Sequence, residues 1–279
     1  MARADNPDFV EAIERGLDVV RALGASTAGL TLSQVAEATG LPRPTARRAL
    51  VTLATLGYVR EQGRVFRLTP RVLDLGCAYV DSLSVWDVAR PHLEALVAQT
   101  GESSSMAQLD GSEIVYVGRV AVPKIITIAV AVGSRLPAAA TSMGHVLLAS
   151  LEPAERRAAL AAPPRGTVRA AVTPPARELA ALLARVREQG WAIADQCLAA
   201  GVRSVAAPLR DHDGRTVAAV NVCVHAAEHS MDALTGRFLP LLLEAAGAIN
   251  GELAERRRIP HVVVEGARPV GLLSGQPTA

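Results

Sequence analysis

The sequence predicts the α+β class, divided into a small helical unit at the amino end and a larger mixed unit behind it. Three observations carry this expectation. Residues 1–70 alternate short amphipathic helices with one pair of strands. From about residue 86 the pattern shifts to period-two strands and hairpins with helices before, between and after them. A chain of 279 residues is also long enough for each part to bury its own core. The hydrophobic fraction is 50% with only 3% aromatics, so those cores must be built from Ala, Val and Leu.

The first helix is "FVEAIERGLDVVRALG", with Phe9, Ile13, Leu17 and Val20 on one face and a stop at Gly24. Thr31 with Gln34 three residues on reads as a capping box for a short second helix, which Gly40 ends. Pro44 suits the first position of a third helix, because the missing N–H would have no partner there. On that helix Ala46, Leu50, Leu53, Ala54 and Gly57 share one face and Thr45, Arg48, Thr52 and Thr55 the opposite one, with Arg47 at the flank. "GYVREQGRVFRLTP" then predicts two strands around a Gln62-Gly63 turn, Phe66 and Leu68 pointing one way and Arg67 the other. Three helices and a basic hairpin make a winged helix-turn-helix over residues 1–70.

Thr69 and Pro70 open a linker helix, residues 71–85, with a Leu73, Gly76, Val80 and Leu83 stripe. The larger unit is expected over residues 86–258. It opens with a helix interrupted or re-entered at Pro91, followed by a hairpin around Asp110-Gly111 and a further strand at "KIITIAVAV". A loop leads into a helix at "GSRLPAAATSMGHVLLASL", and helices follow at "PAERRAALA" and "PARELAALLARVREQG". Strands return at "WAIAD", "VRSVAAPLR" and "TVAAVNVCV", the last two joined through "DHDG"; a long helix from Met231 closes the unit. Residues 259–279 are rich in Pro and Gly, lack periodicity and are expected to be disordered.

Composition removes several function classes. The longest apolar runs are too short to span a bilayer, and "MARADNPDFVEAIERG" lacks a signal peptide's apolar core, so a cytoplasmic protein is expected. Cys77, Cys197 and Cys223 are odd in number and contain no CxxC pair, which points to buried thiols rather than a disulfide framework or zinc ribbon. No Gly-rich phosphate loop is present, and neither a metal nor a cofactor is expected.

The net charge of +2 is uninformative, but its distribution is not. Between Gly40 and Arg71 stand Arg43, Arg47, Arg48, Arg60, Arg64, Arg67 and Arg71 against a single acid, Glu61. A merely solvated helix would mix the two signs, so the excess points to double-stranded DNA. In a helix-turn-helix the start of the second helix of the motif enters the major groove, which puts Thr45 and Arg48 against base edges. Arg43, Arg47, Arg64 and Arg67 are better placed for phosphates.

The stretches "LTLSQVAEATGLPRPTARRALVTLATLGYV", "FRLTPRVLDLG", "PHLEALVAQTGES" and "GSRLPAAATSMG" resemble the IclR family of bacterial transcription regulators, in order from about Asp8 to Arg257. Within it they are similar to the branch that controls protocatechuate and 4-hydroxybenzoate degradation through the β-ketoadipate pathway. The resemblance implies a GAF-like carboxy-terminal domain that binds a small carboxylate effector, and homodimers or tetramers on a palindromic operator. It further implies an effector pocket at Ser142, Met143, Asp195, Ser204, Asn221 and Cys223. Several of these depart from the small residues of glyoxylate-responsive members, which weighs against glyoxylate.

The residues themselves are compatible with that pocket. Asn221 and Cys223 share one face of a strand, and a buried Asn needs polar partners, which either a ligand or neighbouring backbone would supply. Ser142 can cap the helix "MGHVLLASL" or hold a carboxylate at its start. Arg135 is expected to form a structural ion pair. His225, Glu228 and His229 spell HxxEH, the zinc-hydrolase signature, but that chemistry needs both histidines on one helix, whereas here the string leaves a strand. A zinc hydrolase is therefore the competing reading, and a regulator without catalytic residues the preferred one.

Overall fold

A computed structural model describes residues 9–75, 84–123 and 130–256. The chain divides into two compact units, Met1–Leu83 and Ser84–Ala279.

In the first unit α1 (Glu11–Gly24), α2 (Leu32–Thr39) and α3 (Arg43–Thr55) enclose Val19, Leu23, Val35, Ala46 and Leu50. The capping box of α2 forms in both directions: Gln34 N–H donates to Thr31 Oγ1 at 3.4 Å, and Thr31 N–H to Gln34 Oε1 at 2.9 Å. The hairpin β2 (Val59–Gln62) and β3 (Val65–Leu68) turns at Gly63-Arg64, one residue later than expected. Buried Phe66 and exposed Arg67 alternate as their period requires. A two-residue strand, β1 (Leu30–Thr31), adds to β3 and completes the order β1-β3-β2; it is too short to leave a periodicity.

Two expectations are corrected here. Helix α3 starts at Arg43 with Pro42 at its cap, so Pro44 occupies the second position, still among the N–H groups without a helical acceptor. The expected core face of α1 is not the one that packs. Val19 and Leu23 are buried, whereas Ile13 is 63% and Leu17 47% exposed. Val19 lies two residues beyond Leu17, about 200° round a 3.6-residue helix, so the packing stripe is nearly opposite the expected one. Residues 72–75 are helical, but residues 76–83, and with them most of the expected linker and Cys77, lie outside the described residues.

The second unit is built on a six-stranded antiparallel sheet in the order β6-β5-β4-β9-β8-β7. Its strands are β4 (Ser103–Asp110), β5 (Glu113–Val120), β6 (Arg135–Pro137), β7 (Ala192–Asp195), β8 (Val202–Arg210) and β9 (Thr216–His225). The β4–β5 turn falls at Gly111-Ser112, again one residue later than expected. Of the expected strand "KIITIAVAV", residues 124–129 lie outside the described residues, as do residues 257–279.

Helix α4 (Ser84–Thr100) runs unbroken through Pro91, contrary to the expected interruption. Pro91 is exposed, so water can take the carbonyl left without a donor. Against the other side of the sheet pack α5 (Ser142–Ser150) and α7 (Ala176–Gln189), with α6 (Pro153–Ala161) between them in sequence. The core on that side joins Ala107, Tyr116, Ala206 and Ala219 of the sheet to Met143, Leu147, Leu179 and Leu183 of the helices. The closing helix begins as α8 (Met231–Ala233), passes a π turn (Leu234–Phe238) and continues as α9 (Leu239–Arg256). The π turn ends two residues before Pro240, whose ring cannot donate to the ladder.

Two glycines set the position of helices on the sheet. A Cβ on Gly118 would lie 2.1 Å from the Trp86 ring, so only glycine lets α4 lie close on β5. A Cβ on Gly144 would lie 2.1 Å from the carbonyl oxygen of Ala138. Glycine there lets the first turn of α5 press against the preceding 3₁₀ turn (Ala138–Ala140).

Candidate nucleic-acid interface and ligand cavity

Burial of Ala46 and Leu50 turns the opposite side of α3 outward, leaving Arg43, Arg47 and Arg48 exposed and Thr45 half-buried. On the hairpin Arg60, Arg64 and Arg67 are exposed as well. Among the described residues no carboxylate pairs with any of these six guanidinium groups. Arg71 behaves differently, lying 5.5 Å from the centroid of the Tyr58 ring. The surface is therefore a cationic helix beside a cationic hairpin, with donors free for an anionic partner.

In the second unit five of the six residues expected to hold an effector surround one small cavity. Ser142 and Met143 line it from the start of α5, and Ser204, Asn221 and Cys223 from β8 and β9. Its volume is about 20 Å³, room for roughly one water. Cys197 and Leu198, in the loop between β7 and β8, form a further part of its wall.

The polar groups on this wall are only partly satisfied. Ser142 Oγ and Ser204 Oγ are 2.8 Å apart. Asn221 Oδ1 accepts from the Ser105 N–H at 3.0 Å, so backbone does serve its oxygen, while its Nδ2 has no acceptor among the described residues. The cap of α5 is Thr141 rather than Ser142: Thr141 Oγ1 accepts from Gly144 N–H at 3.1 Å. Ser142 and Met143 thus occupy the first turn, where backbone N–H groups lack a helical acceptor. Burial pushes the Cys223 thiol up to about 11, so it is a protonated, unreactive wall group at neutral pH.

Asp195 does not reach the cavity. Its neighbour Ala194 does, and alternation along β7 turns Asp195 to the other face. There it accepts from Arg203 Nε at 2.7 Å across the β7–β8 pair. Tyr116 also lines the cavity and was not singled out in the sequence. Its hydroxyl, held protonated by burial, makes no hydrogen bond among the described residues. No local pattern marks it, because its orientation depends on a β-bulge: Met106 pairs with Gly118 and Ala107 with Tyr116, leaving Val117 extra.

Arg135 is an ion-pair residue, donating from Nε to Glu113 Oε2 at 3.0 Å and from its terminal nitrogen to Asp110. The HxxEH string does not assemble a hydrolase centre. His225 ends β9 and accepts from Ala227 N–H at its Nδ1, 3.2 Å away, while residues 226–228 form a turn. His229 instead meets buried Glu102 at 2.8 Å and stands edge-on to Phe238, ring centroids 4.9 Å apart. Glu102, Glu228 and His229 bring ligand atoms within 4.8 Å of one another, but His225 is not in that group.

Comparison with known proteins finds a family match in each unit. Residues 12–63 match the IclR helix-turn-helix domain, and residues 77–251 match the bacterial transcriptional regulator IclR C-terminal domain. The Pca regulon regulatory protein of Pseudomonas putida is 39% identical over 245 residues, covering 86% of this chain and 83% of that protein. A crystal structure of a transcriptional regulator from Rhodococcus sp. RHA1 is 46% identical with a TM-score of 0.78, covering 89% of this chain and all of that one. An IclR homolog from Microbacterium hydrocarbonoxydans, complexed with 4-hydroxybenzoate, is 26% identical with a TM-score of 0.74, covering 87% and 98%. These proteins are regulators, which removes the hydrolase reading. With a cationic helix-turn-helix in one unit, a polar cavity in the other and family matches spanning both, the chain belongs to the IclR family of bacterial transcriptional regulators.

Proposed function

We propose that this regulator controls genes of aromatic-acid catabolism and that its effector, a small aromatic carboxylate or a β-ketoadipate-type acid, binds at the cavity of the second unit. The observation that carries the reading is the convergence of Ser142, Met143, Ser204, Asn221 and Cys223 on one cavity whose Asn and Tyr groups still have hydrogen-bonding capacity. The Microbacterium relative bound to 4-hydroxybenzoate supports the ligand class.

A cavity of about 20 Å³ holds one water and not a benzoate, so the ligand must open it. That requirement is what makes the site a switch, because a ligand that binds only an opened form shifts the population toward it. Thr45 and Arg48 read operator bases in this account, and Arg43, Arg47, Arg64 and Arg67 hold phosphates. The segment 71–85 links the two units, and a homodimer or tetramer presents paired recognition helices to a palindromic site.

The test is a thermal-shift screen against 4-hydroxybenzoate, protocatechuate, β-ketoadipate and glyoxylate, coupled to gel shifts on the protein's own promoter. A ligand of the native form raises the melting temperature. An aromatic acid should do so and change operator occupancy; a response to glyoxylate alone, or to none of the four, would overturn the reading.

A further inference from the structure

Arg119 stands on β5 directly across from Ser105 of β4, and Ser105 stands directly across from Asn221 of β9. Directly opposed residues of antiparallel strands share a face, so the three form one row on the side of the sheet that carries the cavity. The bulge at Val117 is what brings Tyr116 to that side too; without it, residues three apart on a strand would point in opposite directions.

The guanidinium is half-buried, and its one side-chain hydrogen bond among the described residues runs from Nη1 to Ser105 Oγ at 3.2 Å. No described carboxylate pairs with it. Arg135 and Arg203, in the same unit, each hold an acidic side chain. A guanidinium partly withdrawn from water and without a counter-charge is ready to take an anion, and its planar fork fits the two oxygens of a carboxylate. Its charge reaches the cavity wall: it pulls down the Cys223 thiol and the Tyr116 hydroxyl while burial drives both up.

We propose that Arg119 is the carboxylate anchor of the effector site, binding an aromatic acid whose ring lies along Tyr116 and whose far polar end meets Asn221 and the Ser142–Ser204 pair. This rests on the effector reading above and deepens it. It assigns the negative end of the ligand to β5 rather than to the start of α5, where only partial backbone charges are available. The lining of the small cavity itself carries no charged side chain, and Arg119 stands beyond it on the same face of the sheet, so an acid that opened the cavity toward β5 would be favoured over a neutral phenol.

The experiment is calorimetric titration of the full chain with 4-hydroxybenzoate and with 4-hydroxybenzamide, its uncharged counterpart. Wild type, Arg119→Gln and Arg119→Lys are compared, with melting and ligand-free operator binding measured on each. Wild type should prefer the acid; Arg119→Gln should weaken the acid between about 10- and 100-fold and leave the amide nearly unchanged, erasing the preference. Arg119→Lys keeps a charge without the fork and should recover part of it; if the Gln variant does not fold, a selective loss of the acid in the Lys variant supports the assignment alone. Equal losses for acid and amide would make Arg119 a structural residue and overturn the proposal. Undiminished acid binding by Arg119→Gln would overturn it while the effector reading stands. Failure of wild type to bind the acid, with operator binding intact, would remove both.

Discussion

Ser142 Oγ lies 2.8 Å from Ser204 Oγ, joining the first turn of α5 to β8 at the wall of the cavity. The pair is the one side-chain hydrogen bond between two residues singled out for the effector. Removing it by Ser204→Ala should cost about 1 kcal/mol in urea unfolding, the net worth of a neutral buried hydrogen bond. Ser204→Leu should instead fill the cavity and abolish the ligand-induced rise in melting temperature, with ligand-free operator binding retained. Persistence of that rise in the Leu variant would move the effector elsewhere.

Asp195 makes the opposite prediction. It faces away from the cavity toward Arg203, and its side chain is 40% exposed. Asp195→Asn should leave effector affinity within about 2-fold and cost no more than about 1 kcal/mol, as for an ion pair open to solvent. A large loss of ligand binding measured by calorimetry would restore Asp195 to the site.

Glu113 links pH to the stability of the second unit. Its carboxylate is buried and accepts from Arg135 Nε, from Arg165 N–H at 2.9 Å and from Gly166 N–H at 2.9 Å. Burial alone would raise its pKa, but these donors outweigh it and hold the group below its ordinary 4.5. A depressed folded value means stability that is complete above 4.5 and is lost as pH falls through the folded value. Unfolding midpoints should therefore drop in that acid range. In Glu113→Gln the drop should be smaller, with a loss of about 2 kcal/mol at neutral pH. Identical acid profiles for the two proteins would contradict the assignment.

The cationic surface separates into two kinds of residue. Thr45→Ala with Arg48→Ala should lower operator affinity by about 2–4 kcal/mol and nonspecific DNA binding by much less, since base contacts carry the sequence. Arg64→Ala or Arg67→Ala should weaken binding to all sequences alike and reduce the salt slope by about 1 each. Titrations of operator and scrambled duplex at several salt concentrations distinguish these outcomes.

What could be read from the sequence was the short-range part. The Thr31–Gln34 box, the hairpins at Gly63 and Gly111 and the helices of the first unit depend on residues a few positions apart, so pattern and capping chemistry were enough to place them within two residues. Likewise the excess of arginine over the single acid Glu61 between Gly40 and Arg71 was legible in the sequence, because a short winged motif cannot hide that much charge. The resemblance supplied five of the residues that line the cavity, which periodicity alone did not.

Only the tertiary structure decided the rest. Helix α1 carries apolar residues on two sides, and packing against α2 and α3 selected Val19 and Leu23 over Ile13 and Leu17. Strand pairing turned Asp195 outward, and one unpaired residue, Val117, put Tyr116 and Arg119 on the cavity side of the sheet. The HxxEH string fell apart because its first histidine is held at a strand end while the second is claimed by Glu102, distant in sequence. The division has one physical cause. Caps and turns are settled by neighbours along the chain, whereas the side a residue faces is settled by partners a hundred residues away, and no local pattern contains them.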